Sequence, residues 1–431
     1  MSSSLSSPLS RPSRRHFIAG AGAAAAASGF ATGVLPGGTE LAFAEPNDSA
    51  KSDVIVQVFL DGGADGLSLV PPVFDTGLNA DYRALRVDGT FDIAVDPATA
   101  LDLGGHPIFG LHPAFAPLYP AWTDANMAII HAAGSPSSLT STRSHFDAQE
   151  VWKRCGLPNA TPAGWLARHL NTSADADGSL PGVAASSQLL VSMRGSPSAV
   201  AVSSIGGFNV FGFSDTAAVT SSLVDLYAAD SGLFGSIGTR ALNAVNVVST
   251  VDTTTPPMNG AAYPNTGLGR DLQEVAQMIR ADIGLQAVAV NTGGWDTHDD
   301  MGPASAGSRM YDRISYLTES LGAFYTDLGA DMAEVTIVVL SEFGRTINVN
   351  GNGGTDHGRG SAMFVIGGGI NGGVYGAFPS VIEDGPEGDL AVMNDFRQVL
   401  AEVITGRLDN GANLSSILPG FTPAGTPFGI T

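Results

Sequence analysis

A single cysteine, Cys155, stands in 431 residues, which excludes an intramolecular disulfide framework and any cluster of thiolate metal ligands. A solitary cysteine reads as a small buried hydrophobe. Lysine is almost as scarce. Lys51 and Lys153 are the whole complement, and neither follows a glycine, so the phosphate-cradling loop of nucleotide hydrolases is missing and ATP-driven chemistry is not expected. The Gly-x-Ser-x-Gly nucleophile elbow occurs nowhere, which removes that form of serine hydrolysis. Positive charge is short throughout: 20 Lys and Arg face 41 Asp and Glu, for a formal net charge of -21. A surface this acidic repels nucleic acid and anionic membranes, so neither is an expected partner.

What is present begins at the N-terminus. Ser13-Arg14-Arg15-His16-Phe17-Ile18 places two arginines ahead of an apolar run, Ala19 to Leu35, made mostly of Ala and Gly. This is the pattern of a twin-arginine export signal. Such small residues bury little apolar area, which disfavours an uncleaved membrane anchor. Ala42-Phe43-Ala44 supplies a small-x-small cleavage pattern, with Glu45 as the expected mature start. The expected organisation is a signal over 1–44, a linker over 45–52 and one domain with loop insertions over 53–425. The mature protein is expected outside the cytoplasmic membrane, periplasmic or extracellular, after passage through the twin-arginine export machinery.

Short apolar runs rich in β-branched residues recur at Val54 to Leu60, Met127 to Ala132, Leu285 to Val290, Val335 to Leu340 and Ala362 to Ile366. Apolar residues three or four apart mark helices at Ala148 to Arg154, Leu268 to Ala281, Tyr311 to Leu328 and Asp395 to Ile404. Continuous apolar strands interleaved with amphipathic helices predict an α/β fold, with a largely parallel sheet covered on both faces. Asn171 to Gly182 and Val251 to Pro264 read as loops.

In open α/β sheets, ligands bind beyond the carboxyl ends of the strands. Three of the runs are followed by polar clusters: Asp61-Gly62-Gly63-Ala64-Asp65-Gly66, then Asn291-Thr292-Gly293-Gly294-Trp295-Asp296-Thr297-His298, then Ser341-Glu342-Phe343-Gly344-Arg345-Thr346. Beyond the third lies Gly353-Gly354-Thr355-Asp356-His357-Gly358. Carboxylates and imidazoles converging there suit a zinc or manganese site. Asp296 and His298, two apart, share one face of an extended segment. Asp356 and His357, being adjacent, diverge, so one is placed to bind a metal and the other to orient a neighbour. Asp and Gly also favour turns, which is the competing use of these residues. His106, His112, His131 and His169 have no partner spacing and read as structural. Gly367 to Gly372 matches the dinucleotide glycine spacing, but Val374-Tyr375-Gly376-Ala377-Phe378-Pro379 beyond it is not helical, so the match is weak.

Together the strings GGADGL, RSHFDAQ, GGWDTH, SEFGRT and GTDHG resemble the bacterial domain-of-unknown-function 1501 family of the alkaline-phosphatase-like superfamily, from Asp53 to the last helix. The resemblance implies an alkaline-phosphatase-like fold with a divalent metal and a nucleophile at the strand ends. It makes Asp65, in preference to Asp61, the first-strand metal carboxylate and Ser144 the nucleophile. Asp296 and His298 become one metal pair, His357 the final metal histidine, and Glu342 takes the place of a strand-end aspartate. Phe343 stands where that pair would supply a histidine, so one nitrogen ligand is missing unless Asp356 or His145 replaces it. Arg345 would orient a phosphoryl or sulfuryl group, or else form an internal salt bridge. The sulfatase pattern, a Cys or Ser followed by Pro or Ala two residues on and Arg four residues on, is not met at Cys155 or before Arg143. The expected function is a metal-dependent hydrolase of phosphate or sulfate esters, on a small-molecule or polymer substrate. The alternative is an exported non-catalytic protein that uses the same pocket for binding.

Overall fold

The computed structural model describes residues 53–173, 180–210, 216–379 and 388–431. The expected signal and linker lie outside the described residues, as do residues 174–179 of the loop expected from Asn171. Among the described residues no helix is long and apolar enough to cross a membrane.

Nine strands form the main sheet. In chain order they are β1 (Val54–Leu60), β2 (Met127–Gly134), β3 (Gly182–Ala184), β4 (Ala199–Ala201), β5 (Ala287–Thr292), β6 (Val335–Leu340), β7 (Ser361–Ile366), β8 (Gly373–Tyr375) and β9 (Asn394–Asp395). Their spatial order is β8-β2-β7-β6-β1-β5-β3-β4, with β9 added beside β2. Each of the five apolar runs expected to be strands is one, two with the expected ends and three with one or both ends moved by a residue or two. β1 is buried on both faces. Val56, Val58 and Leu60 enter one apolar cluster with helices Gly267–Arg280 and Arg309–Leu328. Ile55 and Phe59 enter the other, with Trp165, Leu170, Val399 and Val403 from helices Trp165–Thr172 and Phe396–Gly406. The alternation follows from the two-residue period of a strand.

The sheet is mixed, which corrects the parallel expectation at one place. β1 runs parallel to β5 and β6, but β7 is antiparallel to both of its neighbours, β6 and β2. A parallel return needs a crossover that carries the chain back to the opposite edge. Residues 341–360 contain no helix and stay at the carboxyl end of β6, so β7 must start from that edge and run back. Also unforeseen were helices Thr76–Arg86, Trp165–Thr172, Thr216–Ala228 and Leu233–Val248. The glycine run 367–372 leads into strand β8, not a helix. Cys155 is fully buried, and burial pushes its thiol up to about 12.

Residues 341–346 and 356–360 are held together through their backbones. Gly358 N donates to Gly344 O at 2.8 Å, Gly344 N donates to Arg359 O at 3.1 Å, and Arg345 bridges His357. A Cβ on Gly344 would meet Gly360 O at 1.8 Å, and backbone cannot move aside as a flexible side chain can. Gly344→Ala is therefore expected to lower stability by about 1–3 kcal/mol or more. Urea unfolding measures this, and an unchanged midpoint would contradict the close packing.

Candidate metal centre

Because β1, β5 and β6 are parallel, their carboxyl ends share one edge, and the amino end of antiparallel β7 joins them. β2 ends there too, and the chain then leads into helix His145–Arg154. Four segments distant in sequence thus deliver side chains to one point. Gly62, at φ +129°, lets β1's turn pass against the β5 loop, where a Cβ would lie 2.4 Å from Asp296 N.

Asp296 Oδ1 is the hub of the cluster. It lies 3.0 Å from His298 Nε2, 3.2 Å from His357 Nε2, 3.4 Å from His145 Nε2 and 2.8 Å from Arg345 Nη2. His357 Nε2 is 2.9 Å from both His145 Nε2 and His298 Nε2. Each ring is fixed from behind through Nδ1: His145 by Glu342 Oε1 at 2.7 Å, His298 by Asp356 Oδ1 at 2.9 Å and His357 by the Arg143 carbonyl at 2.8 Å. All three partners accept, so every Nδ1 carries hydrogen, and in the neutral rings every Nε2 presents a lone pair inward. Four electron-pair donors then face one another without a hydrogen among them. Added protons or one cation must occupy the centre.

The donor set fits a cation. An ion with ligands at 2.0–2.1 Å in tetrahedral geometry places those atoms about 3.3 Å apart, close to the separations here. His145, Asp296 and His357 each offer a ligand atom, all within 4.8 Å of one another, and His298 touches two of the three. Imidazole and carboxylate suit zinc, and carboxylate or carbonyl partners behind the rings are the usual support for such histidines. The hydrogen bond to Glu342 raises the His145 pKa. Burial, the neighbouring His145 and Arg345 together lower that of His357. Burial raises the Asp296 carboxyl, but the charge and hydrogen bond of Arg345 together with His298 and His145 outweigh it and hold the carboxyl below its usual value.

The expected site residues divide into three groups. Asp296, His298 and His357 converge, and His145 supplies a further imidazole. Glu342 and Asp356 do not point at the centre; they stand behind His145 and His298. Asn350 also donates to Asp356 Oδ1 at 3.1 Å. Phe343 packs on His145 and His357, with ring centroids 4.8 and 5.0 Å away, and fills the place next to them with apolar bulk. The Arg345 side chain has 0% exposure, so it holds Asp296 from beneath and touches no solute. Ser144 is the residue before helix His145–Arg154, and its hydroxyl makes no capping bond there.

Asp65 is not at the centre, which corrects its expected role as first-strand ligand. It caps helix Gly66–Leu69 by accepting from Leu67 N. Both of its oxygens are engaged by Arg86, with Ser68 Oγ donating at 2.7 Å. Asp61 is likewise committed, to Lys153 Nζ at 2.7 Å and Asn291 Nδ2 at 2.8 Å. The four other described histidines are engaged away from the centre. His106, His112 and His131 each accept a backbone N–H, and His169 meets Asn410. Arg143 and Gln149 lie inside the RSHFDAQ string without an assigned role, and Lys153 lies beyond it, because no spacing in the sequence shows what their side chains meet. The one available signal was Lys153 itself, a near-unique lysine on a helix that begins at a motif histidine.

Burial raises the Asp65 carboxyl, but the charge and hydrogen bonds of Arg86, with Ser68 and the Arg345 charge, together outweigh it and leave the folded-state pKa below the ordinary value. Its stabilisation is thus present above about pH 3.9, the unfolded value, and is lost as pH falls through the folded-state value. Asp65→Ala, which strands Arg86 as a buried charge, should cost about 3–5 kcal/mol at pH 7. Metal uptake per folded chain should not change. Denaturant titrations from pH 7 to pH 2, with metal analysis of the folded fraction, test both; a metal-free but stable variant would return Asp65 to the centre.

No curated protein matches the chain. Among solved structures, alkaline phosphatase from the Antarctic bacterium TAB5 aligns at 12% identity over 86% of this chain and 100% of that one, with a TM-score of 0.29. A mutant of the same enzyme, with Mg bound in its M3 site, aligns at 12% identity over 86% and 99%, with a TM-score of 0.31. The family model described as a protein of unknown function, DUF1501, matches residues 115–400, and the chain belongs to that family.

Proposed function

We propose that this protein is an exported, metal-dependent hydrolase of phosphate or sulfate esters built on one divalent cation, with zinc the best fit. The observation that carries the reading is the inward convergence of three Nε2 lone pairs on Asp296 Oδ1, each ring held through Nδ1. His145, Asp296 and His357 would hold the ion, with His298 beside them. When bound, the ion supplies Lewis-acid polarisation of an ester oxygen and lowers the pKa of an attacking hydroxyl. The protein's own part is to keep Asp296 ionised through Arg345, to hold three rings in one tautomer, and to present Ser144 next to His145 as candidate nucleophile. Phe343 argues against a paired-ion mechanism, because its ring covers the flank of His145 and His357 where further ligands would be needed.

Phe343 is also the observation that favours a second reading, an exported protein that binds a ligand or partner at the same pocket without turnover. Metal analysis of protein purified without chelator is expected to give one ion per chain. His357→Ala should abolish stoichiometric binding, and Glu342→Gln should weaken it by about 10-fold to 100-fold. Acidification should release the ion as Nε2 atoms take up protons. Ester hydrolysis should vanish on chelation, return with zinc or manganese, and be lost in Ser144→Ala. Metal bound without turnover on a broad panel of phosphate and sulfate esters, or no metal and no turnover, would select the binding protein; a wild type that binds no metal would end the metal-dependent hydrolase.

A further inference from the structure

Lys153 is the one lysine among the described residues, and it is buried at 5% exposure. It lies on the helix that starts at His145, two turns along. Its ammonium sits 4.2 Å from the Phe59 ring centroid and donates to Asp61 Oδ1 at 2.7 Å and to Gln149 Oε1 at 3.0 Å. An ammonium has no acceptor, so the Gln149 amide must turn its oxygen toward Lys153. Its NH2 group then faces Glu342, and Nε2 donates to Glu342 Oε1 at 3.1 Å. Flipping the amide would aim NH2 at the ammonium and oxygen at the carboxylate, breaking two hydrogen bonds and creating two repulsive contacts. Glu342 Oε1 also receives Gly62 N at 2.9 Å, and its remaining partner is His145 Nδ1 at 2.7 Å. Every link in this chain has one allowed direction, and the last leaves the His145 Nε2 lone pair facing Asp296 and His357.

We propose that Lys153 is a positioning residue for the centre: acting through Gln149, it orients the acceptor Glu342 and so holds His145 in its Nδ1–H tautomer. The effect on metal affinity rests on the reading that the cluster holds a cation; the effect on the tautomer does not. The buried Lys153 and Asp61 pair thereby has a use beyond packing. Without the ammonium, nothing fixes which way the Gln149 amide turns, and Glu342 Oε1 loses one of the donors that hold it opposite His145, with Gly62 N and Ser341 Oγ left to anchor the carboxylate.

The test compares wild type, Lys153→Met and Gln149→Leu by nitrogen-15 NMR of labelled histidines in the metal-free full chain, at a pH high enough that the rings are neutral, with His145 assigned from a His145→Gln spectrum. Zinc affinity is measured by chelator competition and folding by urea titration. Wild type should show His145 as the Nδ1–H tautomer, and both variants a mixture with Nε2–H. Zinc affinity should fall by about 10-fold to 100-fold in each folded variant. Gln149→Leu keeps Lys153 and Asp61 intact and carries the test should Lys153→Met fail to fold. Wild-type tautomer and zinc affinity within twofold in Gln149→Leu would overturn the proposal, as would an Nε2–H tautomer in wild type. Failure of the wild type to bind zinc, with the tautomer shifts intact, would sink only the metal reading.

Discussion

One carboxylate oxygen, Asp296 Oδ1, gathers three imidazole nitrogens and a buried guanidinium within 3.4 Å. Such an arrangement is unstable as bare electrostatics, since lone pairs face lone pairs and only Arg345 carries a fixed positive charge among the contacting groups. It persists because each element of the surround has a separate reason to be where it is. Arg345 is sealed under the loop, the rings are tethered through Nδ1, and the backbones of residues 341–346 and 356–360 are locked together at Gly344 and Gly358.

The ring of acceptors behind the histidines is as informative as the cluster itself. Glu342 and Asp356 are exclusively acceptors when ionised, and the Arg143 carbonyl is always one, so the three tautomers follow without further assumption. Arg143 is used twice: its carbonyl holds the His357 ring, and its guanidinium donates to the His357 carbonyl at 3.0 Å. The segment entering helix His145–Arg154 and the segment entering β7 are thereby clasped to each other, although 214 positions separate them in sequence. Rigidity at this point comes from polar groups, while the apolar clusters on the two faces of the sheet hold the frame that brings them together.

Much of this was legible beforehand where local pattern determines the outcome. The runs VIVQVFL and VTIVVL are strands over their full expected length, because short stretches dominated by β-branched and other apolar residues are satisfied by burial on both faces. Asp296 and His298 share a face because a two-residue spacing in extended chain requires it. Asp65 was misplaced because its motif is equally a helix cap, and nothing near it in sequence announces Arg86, 21 positions on. The sequence leaves open whether Glu342 and Asp356 bind a metal or orient a histidine, because a carboxylate looks the same whether it faces an ion or an imidazole.

The strands, the acidic surface, the lack of thiol and phosphate-loop chemistry, and the stock of carboxylates and histidines at the strand ends can all be read from residue type and short spacing, because they depend on nothing else. Which of those groups meet is settled by the folded arrangement of the chain. That outcome turns on the direction of β7: running antiparallel, it starts at the carboxyl edge of its neighbours and sets His357 against Asp296, a result of how the chain from 341 to 360 closes in space and not of any local preference.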